Sequence, residues 1–197
     1  MKTLMLTVLS MMTITIMNYY YNPSQKVDSE GIIVAAQQGQ KQVLENEYSN
    51  KYFSLKYPST WQIVQDNNQA TATTTISVQI MEKKKNDVDF RPNVNIIVSA
   101  TKWTEPASYL AQQTSQNNRK VVSTYKQLSR SDTEISGCKG SLLSSSMYLQ
   151  GNSMRSDQYI VKKSDNTTFI ITATTDSNKY QSQMAVINEI LKSLVIK

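Results

Sequence analysis

The 197-residue sequence contains no histidine, and that absence removes more function classes than any residue present adds. A serine–histidine or cysteine–histidine nucleophilic pair cannot be built without the imidazole base. The commonest side-chain ligand of zinc, copper and haem iron is missing as well. Cysteine is nearly absent too: Cys138 stands alone, so no intramolecular disulfide can form. Between Gly137 and Lys139 a lone thiol reads as a small, partly buried hydrophobe rather than a reactive group. No cysteine lies near the end of the N-terminal apolar run, so no bacterial lipoprotein anchor is expected. No catalytic, cofactor-binding or metal-ligating residue is expected, and no cofactor.

What is present is ordinary for a globular chain, with 39% hydrophobic and 18% charged residues. That is enough for one domain with a full core plus an N-terminal segment. The net charge of +6 is compatible with an anionic partner surface such as membrane headgroups or an acidic protein. The lysines are scattered, however, and no arginine-rich helix or aromatic RNA-binding motif accompanies them, which favours a solvated basic surface and no nucleic-acid partner.

The only long uncharged apolar run lies at the start of the chain. Lys2 supplies a minimal positive region and Leu4 to Met17 a hydrophobic region of secretory-signal length. Tyr19, Tyr20 and Tyr21 would form an interfacial aromatic belt if the segment stayed in place as an anchor, since a span needs roughly 20 residues. Residues 1–21 are therefore expected to be a signal peptide or signal anchor, and the protein to be exported. No small-x-small triplet follows directly; Val34-Ala35-Ala36 is the first candidate and lies far downstream. Residues 22–47, rich in Gln, Asn, Ser and Lys, read as a polar linker, and 48–197 as the folded domain.

Within that domain Phe53, Leu55 and Tyr57 alternate with polar neighbours, the period of a half-buried strand, and Pro58 ends the ladder because it has no N–H to donate. Trp61 after the Pro-Ser-Thr turn is large enough to plug the end of a core. Ile76, Val78 and Ile80, then Val94, Ile96 and Val98, mark two more strands around a charged connection. Asp87 and Asp89 in that connection read as solvated surface, since a hard cation needs further oxygen ligands. Thr104 is expected to cap a helix over Glu105–Gln116, with Ala107, Leu110, Ala111 and Thr114 facing inward. Val121–Leu128 reads as a strand, Gly137 and Gly140 as an irregular turn around Cys138, and Leu142–Leu149 and Met154–Val161 as further strands. Lys163 to Asn166 reads as a hairpin turn into Thr168–Thr174, where Phe169, Ile171 and Ala173 share a face. Asn166-Thr167-Thr168 matches a glycosylation sequon, which matters only in a eukaryotic secretory pathway. Ser177 is expected to cap a last helix carrying Tyr180, Met184, Ile187, Leu191 and Leu194 on one stripe, suited to covering a sheet.

Three places in this order resemble the PsbP-like superfamily: Tyr52-Phe53-Ser54-Leu55-Lys56-Tyr57-Pro58-Ser59-Thr60-Trp61, the strand pair through Phe169, and the closing pattern with Ile187, Ile190, Leu191, Ser193 and Leu194. The similarity covers about residues 48–197. It implies an α+β fold, an antiparallel β-sheet flanked by α-helices in an α/β/α sandwich, generally serving as a binding or assembly module without a catalytic centre. The lack of histidine means that the histidine-containing metal sites of plant members are not carried over. The hydrophobic N-terminus argues against the nuclear-transport branch.

The leading expectation is a non-catalytic, extracytoplasmic module that docks on a membrane or envelope protein complex. A second class is a small-ligand or lipid-binding protein with a pocket between sheet and helix lined by Trp61, Trp103 and Tyr148. The third, an enzyme using carboxylates alone, would require a residue such as Asp132 or Glu134 in a cleft beside another acid.

Overall fold

The computed structural model describes residues 42–67, 76–83, 90–100, 102–149 and 151–197. The expected signal segment at 1–21, most of the linker, and Asp87 and Asp89 lie outside the described residues.

Two antiparallel meanders make the main sheet. The first comprises β3 (Trp61–Asn67), β4 (Ile76–Glu82) and β5 (Asn93–Ser99). The chain then crosses through helix α1 (Ala107–Val121) to the far edge and returns as β6 (Lys126–Ile135), β7 (Cys138–Leu149), β8 (Asn152–Ser164) and β9 (Thr167–Asp176). The return ends with β9 beside β5, in the order β3-β4-β5-β9-β8-β7-β6. A small second sheet has β2 (Phe53–Tyr57) between β1 (Asn46–Ser49) and β10 (Val195–Ile196). Helix α2 (Tyr180–Lys192) connects the two sheets. This is the α+β arrangement expected, an antiparallel sheet with a helix on each face.

The period of two sorts the side chains of the main sheet onto those faces. Val78, Ile80, Val94, Ile96, Val98, Val161, Phe169, Ile171 and Ala173 form one core with Met184, Ile187, Ile190 and Leu191 of α2 and with the small sheet. The opposite face sets Ile97, Leu143, Ile160 and Ile170 against Trp103 and the Ala107, Leu110 and Ala111 side of α1. Each apolar side chain that α2 buries contributes about 1.5–3 kcal/mol, which is why its stripe was readable in advance. Phe53, wholly buried, joins the layers: its ring lies edge-on to Phe169 at 6.4 Å and tilted against Tyr48 at 5.6 Å. Trp61 is 2% exposed in the same core, so the expected plug is found. Tyr48 is buried there too, and its strand β1 begins at Asn46, across the junction at 47/48.

Several local expectations are corrected. Helix α1 starts after Pro106, not at Glu105, and Pro106 occupies the N-cap position without a side-chain cap. A residue before proline is pushed out of the helical region, so Glu105 cannot begin the helix; the Thr104 hydroxyl instead donates to Glu105 Oε2 at 3.3 Å. The helix continues to Val121 rather than ending at Gln116, with Arg119 and Lys120 in its last turn, where positive charge suits the dipole. The strand expected over Val121–Leu128 accordingly begins only at Lys126. At the other helix Asp176, not Ser177, supplies the cap: its Oδ1 accepts the Asn178 N–H at 2.8 Å and opens a 3-10 turn before α2.

The segment around Cys138 is also tighter than expected. Ser136 (φ +51°) and Gly137 (φ +75°) form a two-residue hairpin turn, the pattern that matches strand twist. Cys138 is the first residue of β7, half-buried at the edge of the α2-side core. Gly140 lies inside β7 opposite Val161. A Cβ there would overlap the Ile160 carbonyl oxygen and sit 2.6 Å from Val161 Cγ1, whereas one at Gly137 would meet nothing within 4 Å.

Gly140→Ala should therefore lower the unfolding free energy by about 3 kcal/mol through overpacking. Gly137→Ala should cost only ~1 kcal/mol, for its left-handed backbone. Urea denaturation of both variants checks the contrast, and equal losses would contradict this account of the two glycines.

Candidate binding surface

Helix α2 packs on β9 and β2, and the odd-numbered residues of β8 emerge on the same face of the sheet beside its first turn. Arg155, Asp157 and Tyr159 are spaced by two, so the pleat aligns them. Tyr180, the first residue of α2, closes over them. Its hydroxyl donates to Asp157 Oδ2 at 2.7 Å, and the Arg155 guanidinium carbon stands 3.6 Å from the centre of its ring. The ring thus receives a cation on its face while its hydroxyl serves an anion, two favourable contacts from one side chain.

Asp157 is only 4% exposed, and its second oxygen, Oδ1, has no hydrogen-bond partner; Arg155 Nε is likewise unpartnered. Buried polar atoms are normally satisfied; both of these are shielded from solvent, so neither is presented at the surface. Both phenols are held neutral. Burial, then the charge of Asp157, pushes Tyr159 up to about 12. Burial, then the hydrogen bond and charge of Asp157, raises Tyr180 to about 12 against an opposing effect of Arg155. These shifts move the ionisation of both hydroxyls further above physiological pH, the reverse of what a general base there requires. The arrangement suits recognition better than proton transfer.

Outward from the cluster, β7 brings Leu142 opposite Tyr159, Ser144 opposite Asp157 and Ser146 opposite Arg155. Beyond it β6 ends the sheet, with every residue from Lys126 to Asp132 exposed and Leu128 50% exposed at a bulge. An edge strand offers a row of unpaired backbone donors and acceptors. The surface therefore combines a polar anchor with an open sheet edge.

The residues singled out from sequence do not converge on a pocket. Trp61 is buried on the α2 side of the sheet, Trp103, 5% exposed, on the α1 side, and Tyr148 is 55% exposed on the surface. The pocket expected from those three side chains is thus corrected: opposite faces of one sheet cannot line one cavity. Asp132 and Glu134 are exposed on β6, opposite Ser141 and Lys139, rather than set in a cleft beside another acid. In the sequence Arg155, Asp157 and Tyr159 carry only a strand period, and Tyr180 only a place on a helical stripe. Their signal was present as an alternating Arg-x-Asp-x-Tyr run in an otherwise core strand.

Over residues 3–195 the chain matches the model of a family described as PsbP-like protein. Solved structures share the fold at low identity. LpqN of Mycobacterium tuberculosis, described as involved in cell envelope biogenesis, is 16% identical with a TM-score of 0.56, over 77% of this chain and 91% of its own. Cyanobacterial PsbP (CyanoP) from Synechocystis sp. PCC 6803 is 11% identical with a TM-score of 0.56, over 85% and 100%. The Saccharomyces cerevisiae Ran-binding protein Mog1p is 6% identical with a TM-score of 0.52, over 78% and 96%. No curated protein matches the sequence.

Phenolate absorption should detect two tyrosines ionising near pH 12 instead of near 10. Because the folded values are raised, the associated stability is fully present below pH 10 and is lost as pH climbs from 10 to 12. Asp157→Asn should lower the Tyr180 midpoint, while burial keeps it above 10. An unchanged titration in that variant would disprove the coupling.

Proposed function

This chain belongs to the PsbP-like protein family, and from that premise we propose that it is a non-catalytic binding or assembly module that docks on a protein complex of the membrane or cell envelope. The observation that carries the reading is the partly exposed Arg155–Asp157–Tyr159–Tyr180 cluster, separated from the β6 edge by β7. Tyrosine and arginine are the residue types that most often anchor interfaces, because each combines a large contact area with directional hydrogen bonds. The raised phenol values and the scattered carboxylates give no support to acid–base chemistry.

In this reading residues 1–21 direct export and either leave as a signal peptide or remain as an anchor, residues 22–47 are the tether, and 48–197 the docking domain. The domain works outside the cytoplasm, on the side where an envelope partner is reached. LpqN, which shares the fold, is described as involved in cell envelope biogenesis, which supports an envelope-associated module. Among the described residues no helix is long and apolar enough to cross a membrane.

Tagged full-length protein captured from detergent-solubilised membranes should bring down a reproducible protein partner. Ser146→Arg and Tyr159→Ala should each reduce that partner at least tenfold, whereas Gln112→Arg on the exposed side of α1 should not. Mass spectrometry of the mature N-terminus distinguishes a cleaved signal from an anchor. Recovery of the intact protein solely from the cytosol would overturn the reading.

A further inference from the structure

Strand β6 is the last of the main sheet, and from Ser129 to Asp132 every residue on it is exposed. Its backbone is regular there: the bulge lies earlier, between Gln127 and Ser129, and Ser115 of α1 bonds to the strand at Gln127, ahead of the exposed run. The two-residue turn at Ser136 and Gly137 decides which backbone groups of that run are free. Such a turn makes its flanking residues, Ile135 and Cys138, a hydrogen-bonded pair, and bonded and non-bonded pairs alternate from there along an antiparallel ladder. Ile135, Thr133 and Ser131 therefore turn their N–H and C=O groups toward β7, and the Ser131 carbonyl also accepts from Ser141 Oγ on that strand at 3.2 Å. Arg130, Asp132 and Glu134 turn theirs outward, along the open edge.

Charged side chains on an edge strand ordinarily keep other strands away. On β6 their signs reverse at Ser131: Arg130 precedes it, and Asp132 and Glu134 follow it. All three side chains fall on one face of the strand, since they are spaced by two. A strand with this pattern is complementary to its own reverse.

We propose that β6 pairs with the β6 of a second copy of this chain, antiparallel about a two-fold axis at Ser131, so that two main sheets join edge to edge. A two-fold contact sets one residue opposite itself, and the charges select which. With Arg130 or Asp132 at the axis, like charges stand directly opposed, which destabilises a cross-strand pair. With Thr133 there, Asp132 meets Glu134. With Ser129 there, the pairing runs into the bulge. Ser131 at the axis instead sets Arg130 of each copy opposite Asp132 of the other, and these are the residues whose backbone groups point outward. Each such pair then exchanges both N–H···O=C bonds as well as opposite charges. The contact uses none of the Arg155–Asp157–Tyr159–Tyr180 cluster and stands independently of the docking reading.

Sedimentation velocity of the full-length protein in non-ionic detergent should show a monomer–dimer equilibrium. Arg130→Asp and Asp132→Arg should each weaken the dimer about tenfold, because every opposed pair becomes like-charged. An equimolar mixture of the two variants should associate again, since each then meets the other's reversed charge. Both side chains are exposed, so the variants retain the fold. Mild oxidation of Ser131→Cys should give a disulfide-linked dimer, because a non-hydrogen-bonded pair holds its Cα atoms about 4.5 Å apart, within disulfide reach. Thr133→Cys should not cross-link, and the wild type with its half-buried Cys138 is the blank. A monomer at every concentration would overturn the proposal. A dimer that neither charge variant weakens would overturn it too, because association would then run through another surface, as would equal cross-linking at positions 131 and 133.

Discussion

The pairing of β5 with β9 is the constraint on which the molecule rests. Those strands come from different meanders and are joined through seven consecutive residue pairs, from Asn93 with Thr174 to Ser99 with Thr168. Without that ladder β3-β4-β5 and β6-β7-β8-β9 would be two separate sheets, each with an exposed apolar edge. With it, every residue of β5 is buried and both faces become continuous across seven strands. The contact is also long-range in sequence, so its loop-closure cost must be met by the side chains it brings together. Val94, Ile96 and Val98 on one strand and Phe169, Ile171 and Ala173 on the other supply that gain on a single face.

The two faces then diverge in character. On the α2 side apolar alternation is nearly unbroken along β4, β5 and β9, and Phe53 extends the core into the small sheet through Phe169. The C-terminus locks that sheet in place: β10 pairs with β2, the Ile196 N–H donates to Ser136 Oγ at 2.9 Å, and Lys197 Nζ donates to Ser49 Oγ at 2.6 Å. On the α1 side the helix is rich in Gln, Asn and Ser, and its apolar contacts are confined to the first half and to Val122 beyond its end. One face is almost wholly apolar, and the other mixes apolar contacts with buried polar side chains.

How far the sequence could be read follows from this contrast. Elements dominated by strict alternation or by a four-three stripe were readable, because burial fixes their register: Phe53 with Leu55, Val94 to Val98, Phe169 to Ala173, and Met184 to Leu191. Boundaries set by a single backbone group were not. The start of α1 depended on Pro106 excluding Glu105, and the start of α2 on the Asp176 carboxylate one residue before the serine expected to cap it. Val121 and Val122 resembled strand residues because β-branching favours strands, yet Arg119 and Lys120 at the helix C-terminus and burial of Val122 in the third cluster carried the helix past Gln116. The candidate binding surface was hidden for a different reason. Its residues come from β8 and from α2, and only the return of the chain through β9 brings Tyr180 over Asp157.

That return makes the candidate binding surface a consequence of the fold's last joint. Asp176 is the final residue of β9, and its backbone N–H donates to Gln183 Oε1 at 2.9 Å while its carboxylate caps the 3-10 turn. Those two bonds fix where α2 begins, and hence where the Tyr180 ring lies relative to β8. Arg155 is held from the other direction, since β8 pairs with β9 at Arg155 and Thr175, and the Thr175 hydroxyl donates to the Arg155 carbonyl at 3.3 Å. The guanidinium, the ring and the Asp157 carboxylate are therefore positioned by backbone geometry on both sides rather than by their own attraction. Such pre-organisation lowers the ordering cost of binding, because the half-buried side chains of Arg155, Tyr159 and Tyr180 are held in place before a partner arrives.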